Sequence, residues 1–234
     1  MERARSTGEC VFAVYGWERP TLSFGRNQEA RDRYDPTAMK RHGIDLVRRP
    51  TGGRALLHAR EVTYSVTAPV DAAESLVEAY HRFNRILLAG LDRLGVHASE
   101  AAGEGRTPPP TTMPCFAAPT SGELVTGGSK LVGSAQVREN GALLQHGSIL
   151  VEDDQNLISR LLVDPDSVAP APRAATLASA LGRIPEVSEV ASALFASLRE
   201  LEDEHARDLE VAEADSFAVE HLERYRSEWW TWRR

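Results

Sequence analysis

The chain has 234 residues, 42% of them hydrophobic and 26% charged, with a formal net charge of −7 and two cysteines; this balance excludes disordered, collagen-like and disulfide-built classes. No stretch nears the ~18 consecutive apolar residues of a membrane span, and the opening MERARSTGEC lacks the apolar run of a signal peptide, so a cytoplasmic protein with no membrane partner is expected. Residues 1–150 carry 18 basic and 16 acidic side chains while 151–234 carry 9 and 18, which sets an acidic C-terminal region behind a nearly neutral body.

In chain order, 11–15, 21–25, 45–49, 54–58 and 62–68 read as short strands, rich in β-branched or aromatic residues and bounded by turns. Residues 36–42 read as a short helix. The spacing of Leu76, Tyr80, Phe83, Leu87 and Leu91 predicts a helix over 72–94, with Asp71 as N-cap and Gly95 as its stop. The glycines and prolines of 103–114 forbid a regular element. Strands follow at 123–126, 130–138 and 142–151, the last two joined through Asn140-Gly141 as a tight hairpin. Helices are expected over 155–162, 187–205 and 214–229, with 169–173 (APAPR) as the linker into this region.

Three glycine-bearing segments stand out: RRPTGGRALLH (48–58), GGSKLVGSAQ (127–136) and LLQHGSIL (143–150). None is a P-loop or a dinucleotide-binding fingerprint. Glycines flanked by strands let a ligand lie against backbone N–H groups, although ordinary turns also use them. Only two of the 27 basic residues are lysines. Lys40 reads as surface; Lys130, just after Gly127 and Gly128, is the better candidate for chemistry because lysine, unlike arginine, can change its protonation. Cys115 follows the Pro/Gly-rich loop, a poor place for a core thiol, and a nearby ammonium such as Lys130 would favour its thiolate. Packing as a small hydrophobe is the alternative. Cys10 is assigned no role. His58 and His146 are each more simply read as structural histidines, and the cysteines have no spacing that fits a metal site. Ten basic residues against four acidic ones between Arg19 and Arg60 suggest a surface for an acidic partner.

Taken in order, GWERPTLSFG (16–25), RRPTGGRALLH (48–58), TYSV (63–66), PCFAAPTSGELV (114–125), SKLVGSAQ (129–136) and QHGSIL (145–150) resemble the lipoate-protein ligase A and octanoyltransferase superfamily. The resemblance runs over roughly 11–155, and YRSEWWTWRR (225–234) is similar to the closing segment of the Gram-positive-type octanoyltransferases. It implies an α+β fold shared with biotin ligases: a mixed β-sheet flanked by helices over 1–165, then a mostly helical C-terminal segment over 166–234 packed on the same domain. The resemblance implies a strand and a helix ahead of the GWERPTLSFG segment, and with ten residues before Val11 these are expected to be missing. Cys115-Phe116-Ala117-Ala118-Pro119-Thr120 matches the segment that bears the transferase nucleophile, and Lys130 matches an invariant lysine.

The resemblance thus implies that Cys115 takes an octanoyl or lipoyl group from acyl carrier protein and passes it to the lysine of a lipoyl domain or glycine cleavage H protein. Lys130 would assist. Substrate would lie among Arg49, Gly52, Gly53, His58, Gly133, Ser134, Gln136, His146 and Gly147. No cofactor, metal or nucleic acid is implied. The alternatives are an ATP- and magnesium-dependent lipoate ligase and a non-catalytic module that binds acyl groups or carrier protein. Ala59, Gly122 and Ser129 depart from the family's aspartate, aromatic and arginine at those positions.

Overall fold

The computed structural model describes residues 1–71, 73–102, 115–117, 119–168 and 172–234. Its strands in chain order are β1 (Val11–Tyr15), β2 (Thr21–Phe24), β3 (Asp45–Arg48), β4 (Leu56–His58), β5 (Glu61–Pro69), β6 (Ser99–Glu100), β7 (Leu124–Thr126), β8 (Ser129–Glu139) and β9 (Ala142–Leu150). Six of them form one antiparallel sheet in the order β1-β5-β9-β8-β7-β6, and three form a small sheet in the order β3-β2-β4. The expected mixed character is confined to the small sheet, where β2 runs parallel to β3 and antiparallel to β4. Asn140 and Gly141 both take positive φ, 49° and 78°, the conformation a two-residue hairpin needs to match strand twist.

The helices are α1 (Glu2–Ser6), α2 (Pro36–Arg41), α3 (Leu76–Arg93), α4 (Leu177–Leu181), α5 (Val187–Leu201), α6 (Val211–Arg226) and α7 (Glu228–Thr231). Helix α3 starts later than its periodicity predicts. Ser75 caps it by accepting from Glu78 N–H while Glu78 accepts from Ser75 N–H, a reciprocal box that satisfies two free donors. Asp71 instead accepts from Ala73 N–H one turn earlier. The segment expected as a helix at 155–162 is a 3-10 helix over Gln155–Leu161, α5 stops at Leu201, and the last expected helix divides at Ser227 into α6 and α7. The expected linker is described only at Pro172 and Arg173.

Two large apolar cores form among the described residues. On one side of the large sheet, Phe83, Leu87 and Leu91 of α3 meet Val190 and Leu194 of α5 and Tyr64, Val132 and Ile149 of the strands. Helices α3 and α5 approach so closely at Gly90 that a Cβ there would stand 2.5 Å from Leu194 Cδ2. The second core joins Leu22, Phe24 and Leu57 of the small sheet to Met39 of α2 and to Ile158 and Leu161.

The C-terminal residues are tied to the small sheet by Arg48, whose side chain is fully buried. Its guanidinium donates to the carbonyls of Gly25, Gln28 and Thr231 at 2.6, 2.8 and 2.9 Å, while Trp230 Nε1 donates to the Arg48 carbonyl at 2.7 Å. Burial, reinforced by Arg233, Arg234 and Arg49, lowers the Arg48 guanidinium to about 10. It therefore remains protonated at neutral pH. Main-chain oxygens rather than an acidic side chain solvate this charge.

Candidate active site

The small sheet meets the large one along a cavity of about 610 Å³, and all eleven residues singled out from the sequence border it. Cys115 opens the 3-10 turn Cys115–Ala117, anchored where its N–H donates to the Ala55 carbonyl at 3.0 Å. Its thiol is partly exposed and lies against the small cluster of Leu56, Phe116 and Leu150.

Lys130, on β8, is only 2% exposed. Desolvating an ammonium is expensive unless it is paired and hydrogen-bonded, and the site supplies both. Its Nζ donates to Glu123 Oε1 at 2.6 Å and to the Cys115 carbonyl at 2.8 Å, lies 3.4 Å from Cys115 Sγ, and sits 4.8 Å from the Phe116 ring centre. The other carboxylate oxygen of Glu123 accepts from Thr120 N–H at 2.7 Å. Glu123 therefore pins both the lysine and the 120–123 turn on the cavity wall. Sequence reading missed this residue; the usable signal was that a lysine buried on a strand requires an acid nearby.

The glycines serve this arrangement in different ways. Gly52 faces open space, whereas a Cβ at Gly133 would stand 2.9 Å from Lys130 Cε and one at Gly147 2.4 Å from the Gly133 carbonyl. Thus the missing Cβ at Gly133 clears room for the lysine and that at Gly147 for the neighbouring strand. Gly53 holds φ at 95° beside the Arg49 guanidinium. Gly122 takes φ of 83°, and a Cβ there would meet the Tyr80 ring at 3.2 Å; Tyr80 of α3 fills the space an aromatic side chain at 122 would seek.

Arg49 is not a free anion receptor. Its guanidinium donates to the carbonyls of Ser23, Gly52 and Arg54 and to Ser23 Oγ, bracing the 49–54 loop, and burial lowers it from the ordinary arginine value. His58 stacks on Trp17 with ring centres 4.2 Å apart, and its nitrogens lie 2.9 Å from Ser23 Oγ and 3.1 Å from Glu61 Oε1. Serine, histidine and glutamate at such distances look like a hydrolytic triad. However, Ser23 is 1% exposed and its hydroxyl accepts from Arg49, so its oxygen has no route to a substrate. Ser134 Oγ is 2.6 Å from Tyr64 OH, and the Gln136 amide lies 2.8 Å from that of Gln145.

His146 Nε2 is 2.6 Å from Thr51 Oγ1. Burial, followed by the charge of Arg49 and by His58, depresses its imidazole from 6.5 to about 3. Because the folded value lies below the unfolded one, the native state binds fewer protons between them. Its contribution to stability is complete above about pH 6.5 and lost as the pH falls toward 3, at up to about 1.4 kcal/mol per pH unit. Urea midpoints measured across that window should fall with acid, and His146→Gln should flatten the slope; an unchanged slope would assign the acid lability elsewhere.

A buried ammonium beside a partly exposed thiol, on an apolar wall made by Leu56, Val77 and Tyr80, can stabilise a thiolate and polarise a carbonyl bound next to it. Among the described residues no cluster of His, Cys, Asp or Glu could hold a metal ion, and no helix is long and apolar enough to cross a membrane.

Comparison with known proteins agrees with the fold. The chain superposes on a Thermoplasma acidophilum structure containing bound lipoic acid with a TM-score of 0.77 at 24% identity, covering 98% of this chain and 90% of that one. It superposes on a lipoate-protein ligase A bound with ATP with a TM-score of 0.69 at 23% identity, covering 96% and 86%. In sequence it is 43% identical over 168 residues to the octanoyltransferase LipM of Kyrpidia tusciae, covering 68% of this chain and 61% of that protein. It is 38% identical over 196 residues to the LipM of Symbiobacterium thermophilum, covering 78% and 71%. The chain thus spans about three fifths of the Kyrpidia relative's length. The model of the lipoyl protein ligase A/B catalytic domain matches residues 1–199; together with the shared fold, this shows that the chain belongs to that family.

Proposed function

We propose that this protein is an acyltransferase of protein lipoylation, which moves an octanoyl or lipoyl group through a thioester on Cys115. The observation that carries the reading is the Lys130 ammonium 3.4 Å from Cys115 Sγ. Octanoyltransferases at 38–43% identity support the chemistry. The thiolate of Cys115 attacks the carbonyl of an acyl thioester on acyl carrier protein. The carrier leaves as its thiolate, which takes up a proton, and the acyl group remains on Sγ. The ε-amine of a lysine on a lipoyl domain or glycine cleavage H protein then attacks the same carbonyl. An amide forms, the amine loses a proton, and the Cys115 thiolate is restored. A thioester is more reactive than the amide it becomes, so the exchange requires no nucleotide, metal or other cofactor.

In this reading Lys130 polarises the acyl carbonyl in both steps, and Gly52, which faces open space, leaves room for the acyl group. Residues 1–165 act as the catalytic unit and 166–234 as a helical cover that stiffens it. Intact-protein mass spectrometry after mixing with octanoyl-acyl carrier protein tests the reading. The expected result is one octanoyl adduct, labile to hydroxylamine and mapped to the peptide containing Cys115. Modification of a lipoyl domain that requires octanoate, ATP and magnesium and leaves no adduct would overturn it in favour of a ligase.

A further inference from the structure

The basic stretch between Arg19 and Arg60 does not form one patch. Arg19, Arg33, Arg41 and Arg60 lie within 4 Å of Asp45, Glu29, Asp35 and Glu152, and Arg48 and Arg49 are buried on carbonyls. The fold instead assembles a different cationic face. Arg26 N–H donates to the Thr51 carbonyl at 2.7 Å and the Arg26 carbonyl accepts from Arg233 at 2.6 Å, so the loop bearing Arg26 bridges the cavity-lining 49–54 segment and the C-terminus. Arg233 and Arg224 lie on the Trp230 ring, 4.0 and 3.8 Å from its centre. Arg31 N–H donates to the main-chain oxygen of Arg234 at 2.8 Å, which brings those two exposed residues together.

Among the described residues, only Arg26 of this group lies within 4.0 Å of a carboxylate, that of Glu139. Among the described residues, Arg233 Nε is buried with no acceptor. The neighbouring arginines lower the Arg233 guanidinium, after burial, so the fold brings like charges together without neutralising them. Unpaired guanidinium groups in this arrangement attract carboxylates and phosphates and raise the encounter rate of an anionic partner. The 49–54 segment that Arg26 contacts carries Arg54, which is on the cavity wall and, among the described residues, in no ion pair.

We propose that Arg26, Arg31, Arg224, Arg233 and Arg234, continuing to Arg54 at the cavity, form the docking face for the protein that delivers the acyl group: an acidic carrier domain bearing its thioester on a phosphate-linked arm. This rests on the acyltransferase reading above. The arm's phosphodiester favours the donor over the acceptor, because Arg54 stands on the cavity wall at the end of the 49–54 segment that Arg26 contacts, and the acceptor lysine brings no phosphate.

The test compares wild type with Arg31→Glu/Arg234→Glu, whose side chains are exposed and stack on no ring. Octanoyl-carrier protein, octanoyl-pantetheine and the acceptor lipoyl domain are each varied in turn. KM for the carrier-bound donor should rise about tenfold or more, as the reversal of two charges at an acidic interface implies, with kcat retained. KM for octanoyl-pantetheine and for the acceptor should stay put. Wild-type KM for the carrier should also climb as salt goes from about 50 to 250 mM, which screens exposed charge. An unchanged carrier KM, or a rise for the acceptor instead, overturns the proposal; so does an equal loss with octanoyl-pantetheine, which would mean damage to the fold. Should wild type transfer no acyl group at all, the acyltransferase reading fails by itself. Calorimetric binding of unacylated carrier to the two chains then decides the docking face separately, and only wild-type binding weakened by the double substitution supports it.

Discussion

Cys115→Ala is expected to abolish acyl transfer while leaving the fold intact. The thiol sits at the edge of an apolar cluster, against Leu56, Phe116 and Leu150, so the smaller methyl leaves a shallow gap open to the cavity rather than a sealed void. A loss within about 1 kcal/mol is the scale for such a site. Activity has no such cushion. Deleting the nucleophile of a covalent mechanism lowers kcat by about 10⁴-fold or more, since the remaining groups can only hold substrate. Cys115→Ser gives a sharper comparison: a hydroxyl beside Lys130 is far less nucleophilic at neutral pH, so the expected trace is a slow ester that resists hydroxylamine longer than the wild-type adduct. Rates are followed by acyl transfer to a lipoyl domain and stability by thermal melting. Transfer by Cys115→Ala within tenfold of wild type would remove Cys115 from the mechanism.

Why Cys115 was readable in the sequence, and its partners only partly so, follows from the physics of each signal. A cysteine after a run of glycine and proline has no regular element to be buried in, and a lysine in a chain of arginines stands out by its type. Both signals are local. Helix α3 was legible for the same reason, because its apolar residues repeat at the helical period; only its start moved, since Ser75 and Glu78 form a reciprocal cap that Asp71 cannot. Long strands with a tight turn, β8 and β9, were equally plain. What remained hidden depends on contacts across the chain. Glu123 gains its meaning from Lys130 across a strand connection, and is marked only by the need of a buried lysine for an acid. Gly133 and Gly147 border the cavity, but that a side chain at either would strike Lys130, Tyr64 or the Gly133 carbonyl is decided by neighbours the local sequence does not show. The basic stretch looked continuous because sequence cannot show that Arg48 and Arg49 turn inward or that Arg224, Arg233 and Arg234 come round to join Arg26.

Glu123→Ala is expected to be the most destabilising change at the site, and more so than removing the whole ion pair. The substitution strands the Lys130 ammonium, 2% exposed, with the Cys115 carbonyl as its remaining strong acceptor, and an uncompensated buried charge of this kind costs about 3–5 kcal/mol. It also frees Thr120 N–H, the other partner of the carboxylate. Lys130→Met removes the cation but leaves Glu123 charged and 7% exposed, which costs on the same scale. The double change Glu123→Gln/Lys130→Met removes both charges and keeps both shapes, so it should be less destabilised than Lys130→Met alone, as buried pairs replaced together often are. Activity should part from stability at this point. The double variant still lacks the ammonium beside Cys115 Sγ, and its transfer rate should stay at least about 10²-fold down, the order lost when a group that stabilises developing oxyanion charge is deleted. Urea unfolding and acyl-transfer rates on the three chains give both readings. A double variant that regains activity along with stability would make Lys130 a packing residue. One that regains neither would mean that Glu123 and Lys130 are not coupled as their 2.6 Å contact requires.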